Sequence, residues 1–195
     1  MRRRAELVDE TRQRIVEAAV RLHTTVGPAN TSISTVAEAA GVTRLTVYRH
    51  FGDLEELFEA CRGHWMREHR PPDVAAWRAI PDLADRARRG IGDLYGWYRA
   101  NGDDLYPINR DASTMPATAQ AVQRADAARM ADALVDGHAP DGPRGHLLRA
   151  VAGHLVSYWT WRSLVVDQGL ADAEAIDLAV GMLSGTAPPA HSPRA

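Results

Sequence analysis

Gly41, with a short helical pattern on each side, is the feature that most restricts how this sequence can fold. The stretch before it, from Ser32, and the stretch after it, from Arg44 to Phe51, both carry apolar residues at helical spacing. A turn that swings one helix sharply against the next requires a backbone φ above zero, which glycine adopts without steric cost. The sequence therefore predicts two short helices that meet at Gly41, the arrangement of a helix-turn-helix.

Longer helices are predicted on both sides of this pair. The apolar residues of 11–25 lie on one face of an amphipathic helix that Gly27 ends. A second long helix is predicted at 53–69. It has acidic residues in its first turn that match the helix dipole, and its apolar stripe is predicted as Leu54, Leu57, Phe58, Cys61 and Trp65. The proline pair at 71–72 stops it. We expect a small N-terminal module to end there.

The remainder of the chain also follows a helical period, and no strand-like alternation competes with it. We predict further helices at about residues 82–101, 103–111, 116–138, 143–168 and 171–183. The predicted fold class is therefore all-α, with a three-helix helix-turn-helix domain followed by a larger helical domain. The predicted divisions are a basic flexible arm at 1–10, a helix-turn-helix domain at 11–52, a connecting helix at 53–70, a helical domain at 71–183 and a disordered tail at 184–195.

The charge is distributed unevenly along the chain. The formal net charge is −2, but residues 1–51 hold eight arginines against five acidic residues, whereas the rest holds fifteen arginines against twenty. Basic charge at one end of a chain is typical of a part that meets nucleic acid. All 23 basic residues are arginine, which suits bidentate contacts with phosphate or guanine and also suits the codon bias of a GC-rich genome.

The composition indicates a cytoplasmic protein. A single cysteine, Cys61, cannot form an intramolecular disulfide, and it lies on the apolar stripe of its predicted helix as a small buried hydrophobe. The basic N-terminus lacks the apolar stretch of a secretory signal. No window contains the roughly 18 uninterrupted apolar residues of a membrane span. We expect no membrane association.

Signals of catalysis are missing from the sequence. It contains no Gly-x-Ser-x-Gly elbow, no glycine-rich phosphate loop and no His-Glu-x-x-His pair. The nearest histidine pairs, His64 with His69 and His146 with His154, are spaced by five and eight residues, so one helix does not bring both imidazoles to one metal ion. We expect no enzyme activity, no metal and no cofactor.

The second short helix has the size and surface of a probe for DNA. Its roughly eight residues at about 1.5 Å each span roughly 12 Å, close to the width of a major groove at about 12 Å. With Val47 and Phe51 turned inward, the predicted outward side chains are Arg44, Leu45, Thr46, Tyr48, Arg49 and His50.

The run TSISTVAEAAGVTRLTVYRHF at 31–51, followed by GDLEELFEAC, resembles the N-terminal domain of the TetR family. The resemblance covers about residues 11–61, and it implies that Arg44, Leu45 and Thr46 face bases. It also implies contacts to the DNA backbone from Thr43, Tyr48, His50, Ser32 and Ser34, and Arg49 belongs to the same exposed set. The family commonly has a lysine that contacts phosphate where this sequence has Leu54. The arginines at 2–4 are either a substitute arm that reaches DNA or a solvated tail.

The same resemblance implies a homodimer with a small-molecule pocket in the C-terminal domain. The helices at 143–168 and 171–183 have broad apolar surfaces, so we expect them to form the dimer contact. Aromatic and methionine side chains on several helices suit the lining of a cavity, although each one alone is more often part of an ordinary core. The predicted pocket residues are Trp65, Trp97, Tyr98, Tyr106, Met130, His154, Tyr158 and Trp161.

The resemblance predicts a ligand-responsive transcriptional regulator, in the family's usual mode a repressor released from a palindromic operator on double-stranded DNA by a small-molecule effector. The alternative is a helical module that binds a small molecule or a protein without specific DNA binding. Replacement of Arg44 and Tyr48 by alanine distinguishes the two hypotheses. If the chain is a regulator, DNA binding is lost while the fold and ligand binding are retained.

Overall fold

The computed structural model describes residues 2–187, with side chains from Leu7 onward, and these residues contain helices and no strands. The all-α prediction is confirmed. Ten α-helices are present in this range: α1 Arg2–Thr25, α2 Ile33–Ala40, α3 Arg44–His50, α4 Leu54–Glu68, α5 Val74–Arg78, α6 Leu83–Arg110, α7 Ala117–Val135, α8 Pro143–Leu155, α9 Tyr158–Trp161 and α10 Asp172–Thr186.

Shorter helical turns join some of these elements. Single 3₁₀ turns lie at Pro28–Asn30 and Ala112–Thr114, and a π-helical turn follows α9 at Arg162–Asp167. Among the described residues, no helix is long and apolar enough to cross a membrane. The same residues include no group of three or more His, Cys, Asp or Glu side chains arranged to hold a metal ion.

The first helix is longer than predicted. It begins at Arg2, so residues 2–10 continue α1 and do not form the separate flexible arm expected from the sequence. This stretch contains no glycine or proline and is rich in arginine, alanine, glutamate and leucine, which favour helix. The side chains of the arginines at 2–4 lie outside the described residues, as do residues 188–195 of the predicted tail. The part of that tail up to Thr186 is helical.

Two predicted helices, 82–101 and 103–111, form the single helix α6. One glycine at 102 costs a helix only about 1 kcal/mol, so it does not by itself end one. The predicted helix at 143–168, in contrast, is interrupted after Val156. Ser157 adopts an extended conformation, with φ −68° and ψ 135°, and its hydroxyl accepts the N–H of Trp159 at 3.2 Å to begin α9. The short helix α5 lies between the proline pair and residue 82, a stretch for which the sequence predicts no helix.

The chain forms two compact units, and the residues that each unit contains differ from the division predicted at residue 71. Unit 1 contains Met1–Arg70 and Asn101–Gln123, and unit 2 contains Pro71–Ala100 and Arg124–Ala195. The last part of α6 and the first part of α7 therefore belong with the N-terminal helices.

The core of unit 1 is built by the first four helices. Its buried residues are Ile15, Val16, Ala18, Ala19, Val36, Ala37, Ala40, Val47, Phe51, Leu57 and Cys61. The predicted inward orientation of Val47 and Phe51 is confirmed, as is the burial of Cys61, whose pKa is raised by desolvation to about 12. His23 is also buried in this unit, stacked on Phe58 at 4.5 Å between ring centroids.

Unit 2 packs its largest side chains around the first part of α6. Trp77, Tyr95, Leu94, Ile91, Leu134, Leu148 and Leu155 are all fully buried. Arg86 is buried as well, and it donates to the carbonyl oxygens of Ile80, Asp136 and Arg78 at 2.8, 2.6 and 3.3 Å. These three acceptors satisfy the buried guanidinium, so Arg86 has a structural role.

Candidate nucleic-acid interface

The turn between α2 and α3 has the geometry predicted from Gly41. Gly41 has φ 66° and ψ 38°, in the left-handed region that favours glycine. Its N–H donates to Glu38 O at 3.1 Å, and the N–H of Val42 donates to Ala37 O at 2.9 Å. These two bonds form a Schellman motif, which ends α2 and sets the direction in which α3 begins.

Two hydroxyl side chains fix the beginnings of these short helices. Ser32 Oγ accepts the N–H of Thr35 at 3.1 Å, and Thr35 Oγ1 accepts the N–H of Ser32 at 2.9 Å, so the pair forms a capping box. Thr43 Oγ1 accepts the N–H of Thr46 at 3.2 Å and lies 2.9 Å from the Thr46 hydroxyl. Ser32 and Thr43 are therefore the N-caps of α2 and α3.

The outer face of α3 is exposed and carries no acidic residue. Leu45 is 59% exposed and Tyr48 is 51% exposed, and the two arginines of the helix are also exposed. Within the part of the chain whose side chains are described, Arg44, Tyr48 and Arg49 make no hydrogen bond or ion pair. Their polar groups are therefore available to a partner from outside the chain.

The remaining predicted contact residues lie around the same helix. Ser34 and Thr43 are exposed, and Thr46 and His50 are half-buried. Leu54 is 44% exposed, which corrects its expected place on the apolar stripe of α4. It is the first residue of that helix, directly after the N-cap Asp53, whose carboxylate accepts the N–H of Glu56 at 2.8 Å.

The comparisons with known proteins agree with this geometry. Residues 15–61 match the family described as bacterial regulatory proteins, tetR family. The HTH-type transcriptional regulator AcrR of Shigella flexneri is 44% identical over 57 residues, which are 29% of this chain and 26% of that protein. Residues 15–61 of this chain are therefore similar to the helix-turn-helix region of TetR-family regulators. The match covers the helix-turn-helix, and the chain spans about a quarter of the length of this relative.

Solved structures extend the similarity in fold to nearly the whole chain. The multidrug binding protein EbrR, complexed with imidazole, has a TM-score of 0.62 at 21% identity, covering 94% of this chain and 98% of its own. AibR, in complex with isovaleryl coenzyme A and operator DNA, has a TM-score of 0.60 at 19% identity, covering 89% and 97%. At such low identity the likeness establishes the fold alone.

The predicted pocket residues are divided between the two units. Trp65 and Tyr106 belong to unit 1, and the other six belong to unit 2. Within unit 2 the rings of Tyr98, Tyr158 and Trp161 form a cluster with centroid distances of 5.4 to 5.8 Å, and Trp97 lies 5.6 Å from Tyr98. His154 is exposed, with its carbonyl oxygen accepting from Thr160 Oγ1 at 2.5 Å, and Met130 is half-buried.

The structure also shows polar contacts in unit 1 that the sequence does not predict. Ala29 N–H donates to Asp111 Oδ2 at 3.1 Å, and Arg110 Nη2 donates to Val26 O at 2.9 Å. Arg110 also pairs with Asp111, and its hydrogen bonds hold the pKa of that carboxyl below its usual value. The last turn of α6 is thereby joined to the turn that follows α1. Sequence reasoning missed these residues because polar side chains at a helix end are usually solvated.

Proposed function

We propose that this chain is a DNA-binding transcriptional regulator that acts as a homodimer and releases a palindromic operator when a small-molecule effector binds. The observation that carries the proposal is the exposed, acid-free face of α3, held by a packed helix-turn-helix in the region that matches the TetR family. AibR, which has a similar fold, is described with operator DNA, and this supports the same type of partner here.

The proposed roles of the DNA contacts are those that the resemblance to the TetR family implies for each position. Arg44, Leu45 and Thr46 would face base edges in the major groove, where recognition helices lie. Tyr48, Arg49 and His50 follow on the same helix. Phosphate contacts would come from Tyr48, His50 and the hydroxyls of Ser32, Ser34 and Thr43, which fix the register of the protein on DNA without reading sequence.

Dimerisation is supported by large apolar side chains exposed in unit 2. They lie on α8, on α9 with its π-helical turn, and on α10: Leu147, Trp159, Val166, Leu178 and Met182. Exposed apolar surface of this kind is typical of an interface. A two-fold dimer would present two copies of α3 to half-sites about 34–36 Å apart.

The effector site is proposed at the aromatic cluster of unit 2. Trp161 is 4% exposed, and among the described residues its Nε1 has no hydrogen-bond partner. A buried N–H without an acceptor costs free energy, so a ligand that brings an acceptor would be stabilised there. The hydroxyls of Tyr95 and Tyr98 already donate to Leu155 O and Val156 O, and burial raises the pKa of both tyrosines.

Communication with DNA is proposed to pass through the last turns of α6. Within unit 1 this segment contacts α4 through Asp104 and the turn after α1 through Arg110 and Asp111. A displacement of α6 on effector binding would move both contacts and change the separation of the two copies of α3. Couplings of this sort are typically about 1–3 kcal/mol, or about five- to 150-fold in affinity.

The first test is a binding-site selection with the purified chain on random duplex DNA, followed by salt titration of the best site. Contacts to six to ten phosphates predict a log–log slope of about −5 to −9, together with a two-fold-symmetric sequence. Arg44→Ala is expected to weaken the selected site by about 1–3 kcal/mol. The matched control is Arg124→Ala, which removes an exposed arginine from α7 and should leave affinity unchanged.

Selection that enriches no sequence, with only weak and salt-sensitive binding, would refute the regulator and favour a ligand-binding or protein-interaction module. Thermal unfolding of both variants at the wild-type temperature would show that the difference lies in binding.

A further inference from the structure

Leu45 has a side chain whose chemistry differs from that of its exposed neighbours on α3. It is an uncharged hydrocarbon, 59% exposed, between Arg44 and Thr46. A single exposed leucine is ordinary on most protein surfaces. In the first turn of a helix that enters the major groove, however, an exposed side chain can lie against base edges, so its chemistry can select among bases.

The major groove offers a leucine one favourable partner. The base edges there are hydrogen-bond donors and acceptors, except for the C5-methyl group of thymine. A leucine placed against the amino group of cytosine or adenine, or against O6 of guanine, removes water from a polar group without replacing the hydrogen bond. Contact with the thymine methyl buries apolar surface on both sides and has no such cost.

The neighbouring hydroxyls are already engaged within the chain. Thr43 Oγ1 accepts the N–H of Thr46 at 3.2 Å and lies 2.9 Å from Thr46 Oγ1. The cap that begins α3 therefore occupies both threonines. Among the first three residues of the helix, Arg44 and Leu45 are the ones whose functional groups take no part in it.

We infer that Leu45 reads the C5-methyl group of a thymine in each half-site of the DNA that this chain binds. The inference rests on the proposed function, and it names the feature of the partner that this residue selects. Arg44, one position earlier, supplies the polar contact beside it.

The test uses the full chain and the duplex found by site selection. Each thymine is replaced in turn by deoxyuridine, which keeps every hydrogen-bonding group and base pair and removes only the methyl. Dissociation constants are measured by fluorescence anisotropy for the wild type, Leu45→Ala and Leu54→Ala. Leu54 is an equally apolar, 44% exposed leucine of the same unit that lies outside α3, so it is the matched control.

Replacement of thymine by deoxyuridine is expected to weaken binding at one position in each half-site, and the two positions are related by the two-fold symmetry. Burial of one methyl group corresponds to about a fourfold change in affinity per half-site, and about 15-fold when both half-sites are replaced. Leu45→Ala should abolish this difference between thymine and uracil, whereas Leu54→Ala should retain it.

Specific binding in which no uracil substitution weakens affinity would overturn the inference and leave the proposed function intact. A uracil penalty of the same size in Leu45→Ala would also overturn it, because the methyl would then act through another residue or through DNA shape. Failure of the wild type to select any sequence would refute the proposed function itself.

Discussion

The indole Nε1 of Trp65 donates a hydrogen bond of 2.9 Å to Oδ2 of Asp104, and this bond joins α4 to α6 within unit 1. The same indole stacks on His69 at 4.3 Å between ring centroids, and His69 Nδ1 lies 2.9 Å from Trp65 O. Trp65 was predicted as a pocket residue, and it is 6% exposed. Its ring holds the end of α4 against the part of α6 on which the proposed coupling depends.

Asp104→Ala is expected to lower the free energy of unfolding by about 1–3 kcal/mol, because it leaves the Trp65 N–H buried without its acceptor. Asp104→Asn retains a carbonyl oxygen at the same place and should recover more than half of the loss. Equilibrium urea denaturation, followed by tryptophan fluorescence, measures both. If Asp104→Ala is as stable as the wild type, the hydrogen bond contributes nothing to the free energy of unfolding.

Gly27→Ala is expected to disrupt the contact between the turn after α1 and the end of α6. Gly27 has φ 92°, and a Cβ there would lie 2.2 Å from Asp111 Oδ2 and 2.4 Å from Arg110 Nη2. Gly137 has φ 73° with no atom within 4 Å of a Cβ, so Gly137→Ala has only the backbone cost of about 1–2 kcal/mol. Gly27→Ala should be less stable than this control by at least another ~1 kcal/mol. If urea denaturation shows that Gly27→Ala and Gly137→Ala lose the same free energy of unfolding, the Cβ at position 27 is not crowded by Asp111 and Arg110.

Gly90 and Gly96 provide a matched pair in one helix. A Cβ on Gly90 would lie 2.5 Å from Leu134 Cδ2 and 3.1 Å from the Trp77 ring, whereas a Cβ on Gly96 would meet nothing within 4 Å. Gly90→Ala should destabilise the protein by about 1–3 kcal/mol through overpacking. Gly96→Ala should stabilise it by up to about 1 kcal/mol, because alanine favours helix. Differential scanning calorimetry should therefore give melting-temperature shifts of opposite sign, and a shift of the same sign would contradict the packing.

Acid is expected to destabilise the protein through His23. Burial lowers the pKa of this histidine from 6.5 to about 4, so the unfolded chain binds a proton that the folded chain does not. Stability is full above pH 6.5 and falls as the pH decreases from there toward 4. The loss between pH 7 and pH 5 should be about 2 kcal/mol.

His23→Leu is the control for this titration, because it fills the same apolar site without a titratable group. Urea denaturation at pH 7 and pH 5 should show a smaller loss in this variant than in the wild type. An identical loss would assign the pH dependence to other groups.

The helix-turn-helix was predictable from sequence because local interactions determine it. Gly41 requires a left-handed backbone, and Ser32 and Thr43 cap helices that begin beside them. These requirements involve residues within a few positions of one another. The exposed side of α3 follows directly, since Val47 and Phe51 have to be buried.

The C-terminal part was less predictable because distant contacts decide its details. Neither the interruption at Ser157 nor the continuity of α6 through Gly102 follows from the hydrophobic period alone. The spacing of Leu54 fits the apolar stripe of α4, but Leu54 is the first residue of the helix and is 44% exposed. The contacts of Asp104 and Asp111 join residues 39 and 82 positions apart in sequence, and no local pattern encodes them.

Burial of Cys61 leaves the surface of the described chain without a reactive thiol. With its pKa at about 12, about one such thiol in ten thousand is ionised at pH 8, and its sulfur lies in the core beside Val16. A cysteine introduced on the exposed side of α3 would therefore be the single site that a maleimide or a nitroxide reagent modifies. In the proposed dimer, spin labels placed in this way would turn the distance between the two copies of α3 into a spectroscopic quantity, without removal of any native residue from the core.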